Sequence, residues 1–145
     1  MCYRYTRQLK YLEQAEAAYE FVCTHPNLPE DLIPYWDFDA VNIPHELRDA
    51  SAAAIMAAAL YELSMYSNKA KYKETADKVM HSLSSSDYRS KIGENHNFLL
   101  MHSVGSYPHG SEIDVPLIYA DYYFLEALKR KRDCDIEAKS KSVQK

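Results

Sequence analysis

The chain has 145 residues with 47% hydrophobic and 26% charged side chains, the balance of one soluble globular domain rather than of a disordered segment. A formal charge of −4 and a pI near 5.8 exclude the broad basic footprint of a nucleic-acid binder. No apolar run approaches the ~20 residues that cross a bilayer, the N-terminus lacks a charged-then-apolar export signal, and only three glycines leave little room for tight β turns, so helices are expected.

Residues 1–6 read as the tail of a preceding element. Over residues 8–23, Leu12, Ala15, Tyr19 and Val22 recur at three- and four-residue spacing among Glu13, Glu16 and Glu20, which predicts an amphipathic helix with one wet face. Pro26 stops it, because the residue before a proline disfavours helical geometry. Pro26, Pro29, Pro34 and Pro44 then surround the aromatic cluster Tyr35-Trp36-Asp37-Phe38-Asp39, predicting a long but packed loop. Asp49 is placed to cap a helix over residues 50–66, whose alanines at 50, 52, 53, 54, 57, 58 and 59 cover the whole circumference and predict burial on all sides. After a turn at Ser67-Asn68, residues 70–83 carry Tyr72, Ala76, Val79, Met80 and Leu83 against Lys73, Glu74, Asp77 and Lys78, a second one-sided helix. Residues 82–97 are polar and serine-rich, and 98–104 form a short apolar, strand-like run. Residues 105–128 pass from a loop with Gly105, Pro108, Gly110 and Pro116 into a helix rich in Tyr, Phe and Leu. The basic run Lys129–Arg132 complements that helix's dipole at its end, and residues 133–145 read as a frayed polar tail.

An internal echo connects these elements. Lys10-Tyr11-Leu12-Glu13-Gln14-Ala15 recurs 61 residues on as Lys71-Tyr72-Lys73-Glu74-Thr75-Ala76, and each copy opens an amphipathic helix followed by a long loop and a strongly apolar helix. Such units cannot bury their faces singly. One-sided helices alternating with all-round apolar ones predict two concentric layers, an all-α toroid with its long loops gathered at one end.

Candidate acids and bases in those loops are Asp37, Asp39, Asp49, Glu112, Asp114 and Asp121. Glycoside chemistry sets two carboxylates about one sugar near an aromatic platform, a part that Trp36 and Tyr35 suit. Spacing alone selects no pair, and Asp49, Asp114 and Asp121 equally suit caps and loop anchors. His109, between Pro108 and Gly110, stands beside Ser106 and Ser111, a cluster suited to sugar hydroxyls or to a carboxylate or sulfate. The six histidines show no H-x-x-x-H or H-E-x-x-H spacing, so no metal site is expected. Cys2, Cys23 and Cys134 lie far apart with no C-x-x-C, which favours free thiols and a cytoplasmic location, the periplasm or the exterior staying open should a segment precede Met1.

Three blocks in order, Tyr35-Trp36-Asp37-Phe38-Asp39-Ala40, Arg48-Asp49-Ala50-Ser51-Ala52-Ala53, and Gly110-Ser111-Glu112-Ile113-Asp114 through Asp121 to Leu128, make the chain resemble the unsaturated glucuronyl hydrolases, glycoside hydrolase family 88. The resemblance runs from Met1 to about Arg132 and implies a partial (α/α)6 barrel over residues 1–132, with 133–145 as a tail. It implies a glycosidase that releases unsaturated uronic acid from lyase-generated, glycosaminoglycan-type oligosaccharides, with no cofactor. In that family an aspartic acid protonates the vinyl ether, water adds to the neighbouring carbon and the hemiketal collapses. The family's two catalytic aspartates and its Arg-Gly-Gln-Ala-Trp motif fall upstream of Met1. The resemblance therefore carries over no catalytic residue and implies a C-terminal part that is inactive alone. It does carry over the loop residues Ser106, His109 and Ser111 as substrate contacts, and Trp36 and Arg48, which lie in the first two blocks, are counted with them as candidates; some members bring a Ser-x-x-Ser-x-Lys segment to substrate sulfate at that loop, and the lysine is absent here. The competing expectation is a non-catalytic helical-repeat module that binds a glycan or a protein, and the open inner face of a partial ring is expected to self-associate.

Overall fold

The computed structural model describes residues 1–67 and 69–143. Among them the helices are α1 (Cys2–Thr6), α2 (Leu9–Cys23), α3 (Ala50–Ser64), α4 (Lys71–Leu83) and α5 (Ile118–Val143), with 3-10 turns at Asn95–Asn97 and Tyr107–His109 in the loops. Asn68 of the expected turn, and Gln144 and Lys145 of the expected tail, lie outside the described residues.

Helix α3 is the centre. Asp49 caps it, its carboxylate accepting from the Ser51 N–H at 3.0 Å and the Ser51 hydroxyl at 2.6 Å. Ala50, Ala53, Ala54 and Ala57 are fully buried, and their small side chains let α4 and α5 pack along the helix on both sides. The alanine pattern predicts burial on all sides, and the structure departs from it. Ala52, Ile55, Met56 and Ala59, spaced at three and four, form a line that stays partly or wholly exposed, with Ile55 and Ala59 opening onto a trough shared with α2 and α5.

Helix α4 buries Tyr72, Ala76, Val79, Met80 and Leu83, the expected stripe. Helix α2 has no fully buried residue; Leu12, Tyr19 and Val22 of its stripe are half-buried, Leu12 and Tyr19 against the core, and Ala15 is exposed. The echo equates Tyr11 with Tyr72, yet Tyr11 is 37% exposed and Tyr72 fully buried. An apolar stripe sets only the capacity for burial; a neighbour must realise it. The two one-sided helices meet edge to edge, with the Tyr19 and Tyr72 rings T-shaped at 4.8 Å, Tyr19 Oη 3.1 Å from Thr75 Oγ1, and ion pairs from Glu16 to Lys69 (2.8 Å) and Glu20 to Lys71.

The frayed tail expected after Arg132 is instead the last part of α5, which runs on through Val143. Its acidic residues find cations: Asp133 pairs with Lys129 one turn back at 2.8 Å, and Asp135 with Lys73 of α4 at 3.0 Å. On α5, Ala120, Phe124 and Ala127 are buried, whereas Ile118 is 72% exposed and Leu125 and Leu128 are also open. The strand-like run at 98–104 makes only isolated bridges, Arg89 with Leu100 and Ser103 with Val115.

The two long loops are sewn to the ends where α3 and α5 begin. Asp49 N–H donates to the Pro34 carbonyl at 2.8 Å and Ala50 N–H to that of His102 at 2.9 Å. Asp121, on the first turn of α5, accepts the N–H groups of Leu99 (2.8 Å) and Leu100 (2.9 Å). Loops at one end of the helices and packing at the sides is the toroid arrangement expected.

Candidate functional site

The aromatic loop and the loop before α5 meet through their rings. Trp36 stacks on Tyr107, centroids 4.1 Å apart and planes within 13°. The Trp36 indole N–H donates to Glu46 Oε2 at 3.1 Å, and this hydrogen bond, ahead of those from Asn42, holds the Glu46 carboxyl below its usual value. Trp36 is therefore fixed at both its edge and one face.

Tyr107 rides on the tip of a small hairpin. Ser111 N–H donates to Ser106 O at 3.3 Å, Gly105 N–H to Glu112 O at 2.8 Å, and Ser103 and Val115 exchange bonds of 3.1 and 3.0 Å. Residues 112–115 take one more step than their partners 103–105, so the hairpin carries a bulge. Glu112 and Asp114 sit there at φ 52° and 53°, in left-handed geometry. Gly110 closes the tip at φ 66°, and Gly105 lets the strands approach, since a Cβ there would lie 2.1 Å from Glu112 Oε2. Within the tip, Ser106 Oγ is 2.9 Å from His109 Nδ1, the serine half-buried and the histidine exposed. The hairpin thus gathers two hydroxyls and an imidazole beside a tryptophan: donors and acceptors next to an apolar ring face, the requirements of a sugar site.

Of the residues anticipated as contacts, Trp36, Ser106, His109 and Ser111 come together in this way. Arg48 lies deeper. Its guanidinium pairs with both oxygens of Asp31 (3.1 and 3.3 Å), donates to the Ile33 carbonyl and lies 4.8 Å over the Tyr35 ring. About a quarter of its side chain stays accessible. Tyr88 Oη also donates to Asp31 at 2.8 Å; burial first, and that bond second, push its hydroxyl's pKa up.

The chain was compared with known proteins. No protein-family model matches it. It is 51% identical to the unsaturated glucuronyl hydrolase of Formosa agariphila over 133 residues, which is 92% of this chain and 33% of that protein. A solved unsaturated glucuronyl hydrolase specific for heparin superposes with a TM-score of 0.90 at 48% identity, covering 92% of this chain and 36% of its own. A variant of the Streptococcus agalactiae enzyme, complexed with dGlcA-GalNAc6S, gives 0.78 at 28% identity over 89% of this chain and 35% of its own. The chain is homologous to the unsaturated glucuronyl hydrolases. It spans about a third of the length of these relatives, and its fold is the corresponding portion of their (α/α)6 barrel.

Within that barrel portion, four of the carboxylates considered as acids, Asp37, Asp49, Asp114 and Asp121, are already engaged. Asp49 holds Ser51 and, at 3.3 Å, Val104 N–H; Asp121 holds the Leu99–Leu100 backbone; and Asp39 N–H donates to Asp37 at 2.9 Å. Asp114 meets His102 Nδ1 at 2.7 Å. Sequence reasoning passed over Tyr107, Glu46, Asp31 and His102. Each acts through a partner ten or more residues away, for which neither periodicity nor a motif gives a sign.

Proposed function

We propose that this chain is the C-terminal, substrate-facing portion of an unsaturated glucuronyl hydrolase, with residues 1–132 in the barrel and 133–143 extending α5 beyond it. The substrate is an unsaturated, lyase-generated oligosaccharide of the glycosaminoglycan type. Trp36 offers its ring, Ser106, His109 and Ser111 offer polar groups to the sugar, and Arg48 takes part through its accessible quarter while holding the Trp36 loop to Asp31. The observation that carries this reading is the Trp36–Tyr107 stack, which joins the aromatic loop to the hydroxyl-bearing hairpin at one mouth. The names and closeness of the relatives support the sugar class.

In this reading the chain alone does not hydrolyse, because the aspartates that the resemblance assigns to catalysis belong to the part of the relatives it does not match, and Asp49, Asp114 and Asp121 serve the fold. The protonation of the vinyl ether falls to aspartates of the remaining barrel. The same engagement favours a second reading, a glycan-binding module without catalysis. Alone, the open apolar faces of α3 and α5 draw copies together. The three free thiols point to a reducing, cytoplasmic setting.

Incubating the chain with an unsaturated heparin or chondroitin disaccharide and following the double-bond absorbance tests this. No turnover, with binding detectable by calorimetry and weakened by Trp36→Ala, is expected. Robust turnover by the chain alone overturns its incompetence, and no binding of either disaccharide overturns the sugar-facing role.

A further inference from the structure

The hairpin that carries Ser106, His109 and Ser111 is held unequally along its two arms. The entering arm is pinned residue by residue. Asp121 takes the Leu99 and Leu100 N–H groups, the Tyr88 carbonyl takes the Met101 N–H at 2.8 Å, the Ala50 N–H donates to the His102 carbonyl at 2.9 Å, and Asp49 takes the Val104 N–H. The leaving arm, residues 111–115, bonds to the entering one, and its bulge holds Glu112 and Asp114 at φ 52° and 53°. Left-handed geometry is disfavoured for residues that carry a Cβ and persists only where the surroundings impose it.

At the foot of the hairpin a side-chain bond spans the two arms. His102 Nδ1 lies 2.7 Å from Asp114 Oδ1, beside the Ser103–Val115 bridge, and because a carboxylate only accepts, the imidazole donates. His102 is itself left-handed, at φ 61°. The two side chains are 46% and 41% exposed, and a pair so open to water adds little to stability. What it transmits is direction: the pinned arm fixes His102, and the bond carries that constraint to Asp114 in the bulge. The imidazole also meets another loop. The His102 and Tyr88 rings stand at 85° with centroids 6.4 Å apart, and Tyr88 Oη donates to Asp31, the partner of Arg48. The hairpin and Arg48, two sides of the candidate site, are thus linked through His102.

We propose that His102 and Asp114 are positioning residues for the hairpin tip: their bond holds the bulge so that Tyr107 lands on Trp36 and Ser106, His109 and Ser111 face the mouth. The sugar contacts in this proposal rest on the functional reading above; the placement of the tip does not.

Trp36 is the only tryptophan of the chain, so its fluorescence reports the Trp36–Tyr107 stack without a ligand. Asp114→Gly is the deciding variant, because glycine accepts left-handed backbone while the carboxylate is removed. It should raise acrylamide quenching of Trp36 about twofold and weaken binding of an unsaturated heparin disaccharide about fivefold. Asp114→Asn keeps an acceptor oxygen and tolerates left-handed backbone, so it should behave as the parent in both. His102→Ala should match Asp114→Gly, and the double variant should be no worse than either single one, the signature of a shared bond. The unfolding temperature of every variant should stay within about 3 °C of the parent. Unchanged quenching in Asp114→Gly overturns the proposal, as do additive effects of the two substitutions or an unfolding temperature that falls in step with the quenching. A parent chain that binds no disaccharide overturns the sugar reading instead, and the quenching results then decide the positioning role alone.

Discussion

Asp49 shows how one side chain joins the scaffold to the mouth. Its carboxylate caps α3 through Ser51 and reaches the Val104 N–H at 3.3 Å, so the strand entering the hairpin is tied to the helix start. Removing a cap of this kind costs about 1 to 2 kcal/mol, and the loop N–H left without its acceptor adds to that. Asp49→Ala is expected to destabilise the chain by about 2 kcal/mol in urea unfolding. Asp49→Asn, which keeps one acceptor oxygen, should lose about half as much. Trp36→Phe should retain stacking on Tyr107 and most glycan binding, whereas Trp36→Ala removes a ring pair worth about 1 kcal/mol and frees the hairpin tip; calorimetric titration with an unsaturated disaccharide separates the two. The spacing of Asp49 before an alanine run announced its cap. Nothing in the sequence announced that Tyr107 would lie on Trp36, since the contact spans two loops whose paths are set by the helices they leave.

At the scale of the element, α3, α4 and α5 are held together by charge as well as by packing. Asp77 meets Lys73 at 3.0 Å and also Lys131, and accepts from Tyr61 Oη at 2.7 Å; Glu62 meets Arg130 at 2.8 Å. Burial works against both carboxylates, but for Asp77 the lysines and Tyr61, and for Glu62 the Met1 ammonium, Arg130 and Arg4, outweigh it, so both pKa values are lowered from 3.8 and 4.5. A carboxyl lowered by folding stabilises the fold fully above its unfolded-state value, and that contribution is lost as pH falls through the folded-state value. The unfolding temperature should therefore hold from pH 7 to about 5 and fall below that. Asp77→Asn should lower it at pH 7 and flatten the acid decline, measured by circular dichroism across pH. Two further pairs accompany the continuation of α5 past Arg132. A run of lysines and aspartates reads as a solvated tail in one dimension, but the helix brings Asp133 to Lys129, and α4 brings Lys73 to Asp135.

For the whole molecule, the balance lies in what remains uncovered. Ile118 at 72% exposure, with Leu125, Leu128, Ile55 and Tyr122, leaves apolar side chains of α3 and α5 open to solvent. Sedimentation of the isolated chain should show concentration-dependent association, and Ile118→Lys with Leu125→Lys should reduce it without lowering the unfolding temperature. A compact monomer at every concentration would contradict the open-edge account. The sequence by itself determined the helical class, the two kinds of helix and their echo, the α4 stripe of Tyr72, Ala76, Val79, Met80 and Leu83, and the resemblance, because periodicity and local motifs are properties of neighbours along the chain. Only the tertiary structure decided that α2's matching stripe is no more than half-buried, that α3 keeps one open line, that the tail is helix, and that Trp36 joins the Ser106–Ser111 tip. Each of those depends on what stands opposite a side chain in space, and a stripe of apolar residues reads the same whether its partner is present or not.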